Sequence, residues 1–356
     1  MLLRVPEYYR QFQCTASACP DNCCIGWEID IDPESEARYR QIEGPFGDRL
    51  RDAIRREGET ACFRLKGERC AMLNGDNLCE LILHLGEDAL CQICRDHPRF
   101  TETFGALRET GVGLCCPEAA RLLFTRRDPL TFLVEETEEA AEETECDQTN
   151  LTSLLEVRET LFHIVQDRSR PLVQRMEEAL VYGSQFQGES VSEEADAKGA
   201  AETVREWLTA LRALEAINQM WTERLETAIH MLDRSGEELS LLLERFCKGV
   251  EQWEQGLEHL MMYFLFRYFL KAVYTGDCLT PIQLAVFSCL LIGVLELTRF
   301  VELGSLPEGE RIAAAGLYSK QMEYSEENQE QLEDWLILDA RFSVDRLRMV
   351  LRAVGK

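Results

Sequence analysis

Apolar residues recur at intervals of three and four positions through most of the second half of the chain. This spacing places them on one face of a helix. It predicts helices over residues 151–165, 172–182, 201–214, 220–232, 238–246, 253–274, 281–300, 329–336 and 344–354. Residues 188–199 lack the periodicity, and we expect a loop there.

The most apolar stretch runs over residues 284–295, and its 12 residues are too few for a membrane span, which takes roughly 20. Thr280 and Pro281 before it predict an N-cap followed by proline at the first helical position. We therefore expect a buried helix in a soluble protein without membrane contact. Residues 1–9 lack the apolar segment of a secretory signal, which predicts a cytoplasmic location.

The first 130 residues have another character, mixing loops, metal-ligand turns and short helices with few strand signals. Asp32-Pro33 predicts a helix start, and Gly44-Pro45 predicts its end. Residues 135–147 hold eight acids and no base, typical of a solvated linker, although such a tract could also attract a lysine-bearing substrate. We predict a cysteine-rich domain over 1–130, an acidic linker over 131–150 and a helical domain over 151–356. The predicted fold is mainly α, with an N-terminal metal-binding region packed against a C-terminal helical bundle.

The net charge limits the classes of partner that this protein is expected to bind. The 356 residues include 64 Asp plus Glu against 38 Lys plus Arg, a formal charge of −26. Nucleic-acid binding requires basic patches that neutralise phosphates, and anionic membranes likewise attract basic segments. We therefore expect neither nucleic acid nor an anionic membrane as a partner, whereas a lysine-rich protein surface would be attracted to this protein.

Cysteine placement carries the main chemical signal. Eleven of the 15 cysteines lie within the first 116 residues. Their number is odd and no export signal precedes them, which favours metal ligation over disulfides. The spacing is not that of a zinc ribbon, and an iron–sulfur cluster suits the thiols at least as well. His84 and His97 could add nitrogen ligands, but we expect surface or capping roles for them. Four cysteines, one of these eleven and three from the rest of the chain, are expected to be small buried apolar residues: Cys62, Cys247, Cys278 and Cys289.

Arg267 lies within an aromatic segment, residues 259–270, that we expect to be part of the core. A mostly buried guanidinium requires a carboxylate partner. The partner is either a glutamate of the chain or the carboxylate of a small amino-acid ligand.

Four cysteine segments carry a resemblance to a known family. They are Phe12-Gln-Cys14 with Cys19-Pro-Asp-Asn-Cys23-Cys24-Ile-Gly-Trp27, Cys70-Ala-Met-Leu-Asn-Gly-Asp-Asn-Leu-Cys79, Cys91-Gln-Ile-Cys94-Arg-Asp-His-Pro98-Arg99 and Cys116-Pro-Glu-Ala-Ala. Over residues 12–122 this arrangement resembles the flagellin lysine-N-methylase (FliB) family, itself similar to the cysteine-rich zinc- or iron-chelating proteins of the YkgJ type. Residues 263–269 and 318–328 look like the C-terminal helices of that family.

The resemblance implies a protein lysine N-methyltransferase that carries methyl groups from S-adenosylmethionine to surface lysines of flagellin and contains a [4Fe–4S] cluster. The metal-ligand candidates that it implies are Cys14, Cys19, Cys23, Cys24, Cys70, Cys79, Cys94 and Cys116. Cys91 and Cys115 rank lower as neighbours of these positions. Arg267 and Arg99 are candidates for binding the carboxylate of the cofactor, and no catalytic residue is assigned.

Two other functions remain open at this point. One is a non-catalytic module in which zinc or iron is structural and the helical half is an interaction surface. The other is a redox or metal-sensing protein that uses Cys91 and Cys94 as a dithiol pair.

Overall fold

Helices dominate the computed structural model, which describes residues 1–58, 60–138, 146–192 and 199–355. The mainly α prediction is confirmed. The helices of the second half are α6 (Gln148–Gln166), α7 (Leu172–Gln187), α8 (Ala200–Leu211), α9 (Gln219–Met231), α10 (Gly236–Gly249), α11 (Trp253–Tyr268), α12 (Ala272–Thr275), α13 (Leu279–Leu303), α14 (Glu308–Met322), α15 (Glu326–Leu338) and α16 (Val344–Val354).

Local signals explain where several of these helices begin and end. Asp147, Asn218 and Ser325 accept backbone hydrogen bonds at the starts of α6, α9 and α15, as N-cap side chains do. Helix α13 begins two residues before Pro281, and the carboxylate of Asp277 accepts the N–H groups of residues 279 and 280 at 2.9 and 3.0 Å. The prediction of Thr280 as the N-cap is therefore wrong. Periodicity also missed α14.

Helix α13 is the central helix of the bundle. It packs against α7, α9, α11, α14, α15 and α16, and its residues from Ile282 to Ile292 are all buried. It is the one helix among the described residues that is long and apolar enough to cross a membrane, but 72% of its most apolar window is buried. The prediction of a buried helix is confirmed, and the cytoplasmic location stays a prediction.

The N-terminal part contains short helices and more strands than the sequence predicted. The helices are α1 (Pro33–Arg40), α2 (Gly44–Asp52), α3 (Glu80–Leu85), α4 (Gln92–Asp96) and α5 (Pro117–Phe124). The strands are β1 (Leu2–Pro6), β2 (Asp30–Ile31), β3 (Ile54–Glu57), β4 (Thr60–Phe63), β5 (Leu65–Lys66), β6 (Arg69–Cys70), β7 (Arg99–Phe104), β8 (Leu107–Val112) and β9 (Phe132–Glu136). Gly44-Pro45 follows the end of α1 as predicted, and it also begins α2.

A four-stranded sheet in the order β7-β8-β1-β9 is the largest of the three sheets. Strand β1 runs parallel to β8 and antiparallel to β9. The sheet packs on the helical bundle, where the Phe100 ring meets Tyr263 at 6.0 Å and Phe132 stacks on Phe266 at 4.7 Å. The sheet thus attaches the first residues of the chain to the helices.

The described residues form two hydrophobic cores, and the domain boundary at residue 130 stays a prediction. The larger core contains the helices together with residues of β7, β8 and α5. The smaller core is formed by residues between positions 24 and 94 and contains cysteines of three segments. Within the segment predicted as an acidic linker, β9 occupies residues 132–136 and α6 begins at residue 148. Residues 139–145 and 193–198 lie outside the described residues, so the linker and half of the predicted loop stay predictions.

Candidate functional site

Five cysteines from three separate segments pack in the smaller core: Cys24, Cys70, Cys79, Cys91 and Cys94. The N–H of Cys70 donates to the carbonyl of Cys24 at 2.8 Å, which joins two of the segments. Burial raises the pKa of the Cys70 thiol to about 11, and the nearby thiols of Cys79, Cys91 and Cys23 add to this rise. Cys23 therefore lies beside the other five, and we call these six residues the inner thiols.

The inner thiols include two hydrogen-bonded pairs. The hydrogen bond from Cys24 lowers the pKa of Cys23, and the hydrogen bond from Cys94 lowers the pKa of Cys91. The same hydrogen bonds, followed by burial, raise the pKa values of Cys24 and Cys94. A thiol with a lowered pKa forms a thiolate readily, and the thiolate is the form that binds metals. All 15 cysteines are free.

Three further cysteines form a second group, the outer thiols: Cys14, Cys19 and Cys116. Burial, together with the nearby thiols of Cys19 and Cys14, raises the pKa of Cys116 to about 11. Cys116 directly precedes α5, whereas Cys14 is exposed on the N-terminal loop. Cys19 also lies within electrostatic range of Cys23. The outer thiols are thus neighbours of the inner thiols.

The chemistry of the thiols fits an iron–sulfur cluster or a zinc ion, both of which bind thiolates. Among the residues that the structure describes, however, no group of three or more His, Cys, Asp or Glu side chains is arranged to hold a metal ion. Metal binding therefore stays a prediction. All eight ligand candidates from the resemblance belong to the two thiol groups. Cys91 ranked lower as a ligand candidate in the sequence. It is fully buried among the inner thiols, so we consider it an equal candidate for binding a metal.

A cavity of about 440 Å³ opens at α4, the helix that follows Cys91 and contains Cys94. Gln92 and Ile93 line it, and they stand between Cys91 and Cys94 in the chain. The other lining residues are Asp30, Ile31, Asp32, Asp96, His97, Arg99 and Tyr324. Its volume is within the range of small-molecule sites. Carboxylates, one guanidinium and two aromatic rings thus surround a space that can hold a charged ligand.

Three aromatic rings meet at the inner wall of this cavity. The Trp27 ring lies 5.6 Å from His97 and 5.5 Å from Tyr324, and the latter two rings are 5.8 Å apart. Burial and the charge of Lys320 together lower the pKa of His97 to about 4, so the imidazole is neutral near pH 7. His97 is the C-cap residue of α4, and its N–H donates to the carbonyl of Ile93, which agrees with the capping role expected for it. His84 has the expected surface position, since it is exposed and stacks on Phe46 at 4.3 Å.

Arg267 has its carboxylate partner within the chain. Its Nη1 lies 3.1 Å from Oε1 of Glu323 and donates to the Tyr263 hydroxyl at 2.7 Å. The hydroxyls of Tyr263 and Tyr268 also donate to Glu323, at 3.0 and 2.9 Å. Burial alone would lower the pKa of Arg267, but the Glu323 charge holds it well above its ordinary value. Of the two partners that the sequence left open, the structure contains the glutamate.

Tyr324 connects this buried network with the cavity. Its ring lies 5.8 Å from the Arg267 guanidinium, and a Cβ at position 113 would lie 2.6 Å from its hydroxyl oxygen. Gly113 is therefore required for this close approach. Cys115 shares a hydrogen bond with Tyr324. It therefore belongs with the Arg267 network and not with the inner thiols.

Two arginines, Arg99 and Arg267, were predicted to bind the cofactor, and of these Arg99 lines the cavity. Its guanidinium lies 5.5 Å from the Phe12 ring. An exposed guanidinium at a cavity can form a bidentate contact with a ligand carboxylate. This geometry favours Arg99 over Arg267 for that role.

Comparison with known proteins places the chain in a family. The model of the FliB lysine N-methylase C-terminal domain matches residues 158–349, more than half of the chain. The chain belongs to the FliB lysine N-methylase family. The match covers the helical half, from α6 to α16, whereas the cysteine segments carried most of the resemblance seen in the sequence. Family membership is thus supported by the helical half of the chain, for which the spacing of apolar residues had predicted helices and nothing more.

Individual relatives agree with this assignment. A lysine-N-methylase of Salmonella typhimurium is 28% identical over 135 residues, which cover 36% of this chain and 33% of the relative. The flagellar biosynthetic protein FliU of Salmonella muenchen is 29% identical over 135 residues, 36% of this chain and 79% of that protein. The chain thus spans about a third of the length of the Salmonella typhimurium lysine-N-methylase. No solved structure matches the chain.

Asp32 links α1 to α4 at the cavity. Its two carboxylate oxygens each accept a backbone hydrogen bond, from Ser35 and from Gln92, both at 2.8 Å. Burial alone would raise the pKa of Asp32, but the hydrogen bonds from Gln92 and Ser35 outweigh it and bring the pKa to about 2. This carboxylate is therefore ionised near pH 7, and its two hydrogen bonds hold the starts of α1 and α4 together.

We expect Asp32→Ala to lower the free energy of unfolding by about 1 to 2 kcal/mol, as loss of a helix cap does. The folded-state pKa lies below the ordinary value, so this stabilisation is complete above about pH 4 and is lost as the pH falls toward 2. Urea unfolding at pH 7 and at pH 3 measures both effects. Asp30→Ala, an exposed change at the same cavity, is the control and should cost less than about 0.5 kcal/mol. Equal losses for the two variants would contradict the assignment.

Proposed function

We propose that this chain transfers methyl groups from S-adenosylmethionine to the ε-amines of surface lysines of flagellin, with a [4Fe–4S] cluster bound by its thiols. The observation that carries the proposal is that α4, which follows Cys91 and contains Cys94, also supplies Gln92 and Ile93 to the wall of a cavity that includes Arg99 and carboxylates. The family name and the name of the Salmonella relatives support lysine methylation.

The inner thiols are the best candidates to bind the cluster, because six of them lie together and a cluster needs no more than four thiolates. If only three of them bound the cluster, one iron would stay open and would supply a Lewis acid for the amino and carboxylate groups of S-adenosylmethionine. Cys14, Cys19 and Cys116 would then be structural or bind another metal. Zinc at the inner thiols is the alternative.

The side chains of the cavity have separate tasks in this proposal. Arg99 binds the cofactor carboxylate, because a guanidinium pairs with a carboxylate through two hydrogen bonds. Asp30 and Asp96 attract the lysine ammonium and accept the proton that it must lose before it attacks a methyl sulfonium. The neutral His97 and the Tyr324 ring form a wall without charge of their own beside the reacting groups.

Flagellin as the substrate is supported by the flagellar name of one relative and by charge. The formal charge of −26 attracts a lysine-rich surface and raises the rate of encounter at low salt.

Anaerobic purification followed by iron, sulfide and zinc analysis is the decisive first experiment, together with transfer of labelled methyl groups from S-adenosylmethionine to flagellin. About four iron and four sulfide per chain, broad visible absorbance and labelled flagellin lysines are expected. Zinc without sulfide after attempted reconstitution, and unlabelled flagellin, would overturn the proposal in favour of a structural metal module.

Replacing Arg99 tests the cofactor site. Arg99→Ala should raise the KM for S-adenosylmethionine by about ten- to a hundredfold, because a hydrogen bond to a charged group contributes about 1.5 to 3 kcal/mol. Arg245→Ala, an exposed arginine of α10 outside the cavity lining, is the control and should leave the KM unchanged. The role of Arg99 is refuted by an unchanged KM in a variant that retains its iron.

A further inference from the structure

Tyr324 lines the cavity with a ring that its neighbours hold in place. Its hydroxyl shares a hydrogen bond with Cys115, and a Cβ at position 113 would lie 2.6 Å from the hydroxyl oxygen. The ring lies 5.5 Å from Trp27 and 5.8 Å from His97. Because these contacts already restrict the side chain, it loses little conformational entropy when a ligand packs against it.

The position of Tyr324 is set by the residue before it in the chain. Glu323 is the C-cap residue of α14, and its carboxylate lies 3.1 Å from Nη1 of Arg267 on α11. The hydroxyls of Tyr263 and Tyr268, also on α11, donate to the same carboxylate. These side chains tie the end of α14 to α11, and the next residue, Tyr324, enters the cavity wall directly from this junction.

The charge beside the ring indicates which kind of ligand it suits. The guanidinium of Arg267 lies 5.8 Å from the centre of the Tyr324 ring, so a cation already interacts with the π system. A lysine ammonium or a sulfonium would have to share that π system with the guanidinium. A neutral planar base does not compete in this way, and bases stack favourably on aromatic side chains.

The lining of the cavity matches the two ends of S-adenosylmethionine. Arg99 is the candidate for its carboxylate, and the aromatic lining residues are Tyr324 and His97. Tyr324 has the larger ring of the two, and it belongs to the helical half that the family model matches. The N-terminal part and the helical half would then each hold one end of the same ligand.

We propose that Tyr324 is the residue on which the adenine ring of S-adenosylmethionine stacks, and that Arg267 is a positioning residue that acts through Glu323 and Tyr324. The proposal rests on the proposed function, because it assumes that the cavity binds S-adenosylmethionine. It also gives Arg267 a part in cofactor binding without any contact between its guanidinium and the cofactor.

The test measures the binding of S-adenosylhomocysteine and of adenosine to the anaerobically purified full chain by isothermal titration calorimetry. Tyr324→Leu should raise the Kd of both ligands by about tenfold, because it removes the stacking surface. Tyr324→Phe keeps the ring and should bind both nearly as tightly as the unchanged protein. Arg99→Ala is the matched control. It should weaken S-adenosylhomocysteine and leave adenosine unchanged, because adenosine has no carboxylate.

Gly113 offers a second test in which the ring is kept. The Cβ of Gly113→Ala would lie 2.6 Å from the Tyr324 hydroxyl oxygen, so the ring must shift, whereas the next contact, 3.3 Å to the carbonyl oxygen of Pro98, requires only a small adjustment. We expect Gly113→Ala to weaken adenosine binding. The double variant Gly113→Ala, Tyr324→Phe lacks the hydroxyl and should recover most of the lost affinity. A loss that persists in the double variant would contradict the placement of the base on this ring.

Transfer of labelled methyl groups to flagellin by the same preparations separates failure of this inference from failure of the proposed function. If the unchanged protein labels flagellin and Tyr324→Leu binds both ligands normally, the inference alone is overturned. It is overturned as well if Tyr324→Leu weakens S-adenosylhomocysteine but not adenosine, since the ring then contacts another part of the ligand. An unchanged protein that binds neither ligand and leaves flagellin unlabelled overturns both proposals. The expected pattern of ligand binding without flagellin labelling supports the inference and overturns flagellin as the substrate.

Discussion

Cys70→Ala is expected to remove the iron, the sulfide and the visible absorbance of the purified protein, and to reduce methyl transfer to flagellin to background. Cys70 is buried and lies within electrostatic range of three other inner thiols, Cys23, Cys79 and Cys91. Loss of one of its ligand thiolates would leave a second iron of the cluster without a protein ligand, in addition to the iron that is open to the cofactor. The effect on activity is therefore much larger than the loss of the small side-chain volume would produce.

Cys62→Ala is the matched control for this experiment. Cys62 is also buried in the N-terminal part, on β4, but its sulfur accepts a hydrogen bond from Arg55 at 3.2 Å and it does not belong to the inner thiols. This variant should retain iron, sulfide and activity, and its melting temperature should change only slightly. If Cys70→Ala kept its iron and its activity, the assignment of the inner thiols would be wrong.

The helical half was predictable because its signals are local. Apolar residues at intervals of three and four positions predicted most helices to within a few residues, and 344–354 matches α16. Helix α14 was missed because its buried side includes Arg311, Ser319 and Gln321, so the hydrophobic period is interrupted by polar residues whose partners lie on other helices.

The four-stranded sheet could not be predicted for a related reason. Strand β8 buries Glu109 and Thr110 beside its apolar residues, which breaks the alternation that marks a half-buried strand. Strand β1 is short and pairs with residues more than a hundred positions away. Neither signal is visible within a local window.

The candidate site was predictable in its chemistry and not in its arrangement. The cysteine segments were recognised, but their grouping depends on long-range contacts such as that between Cys24 and Cys70. A carboxylate partner for Arg267 was expected, yet burial alone does not select Glu323 among 64 acidic residues.

The buried ion pair between Arg158 and Glu109 joins the sheet to the helical bundle. The two side chains are 0% and 3% exposed, and two hydrogen bonds of 2.7 and 2.5 Å connect them. Arg158 also donates to the carbonyl of Phe266 at 3.4 Å. Helices α6 and α11 and strand β8 therefore meet at one guanidinium.

Arg158→Ala should lower the free energy of unfolding by about 3 to 5 kcal/mol, because it leaves the Glu109 carboxylate buried without its cation. The double variant Arg158→Met, Glu109→Leu should lose less than the single variant, since apolar side chains of similar volume remove both charges. Arg170→Ala, which breaks an exposed pair with Glu178, should cost less than about 1 kcal/mol. Urea unfolding followed by circular dichroism measures all three. A double variant as unstable as Arg158→Ala would show that the hydrogen bonds of the pair, and not the uncompensated charge, hold the sheet on the bundle.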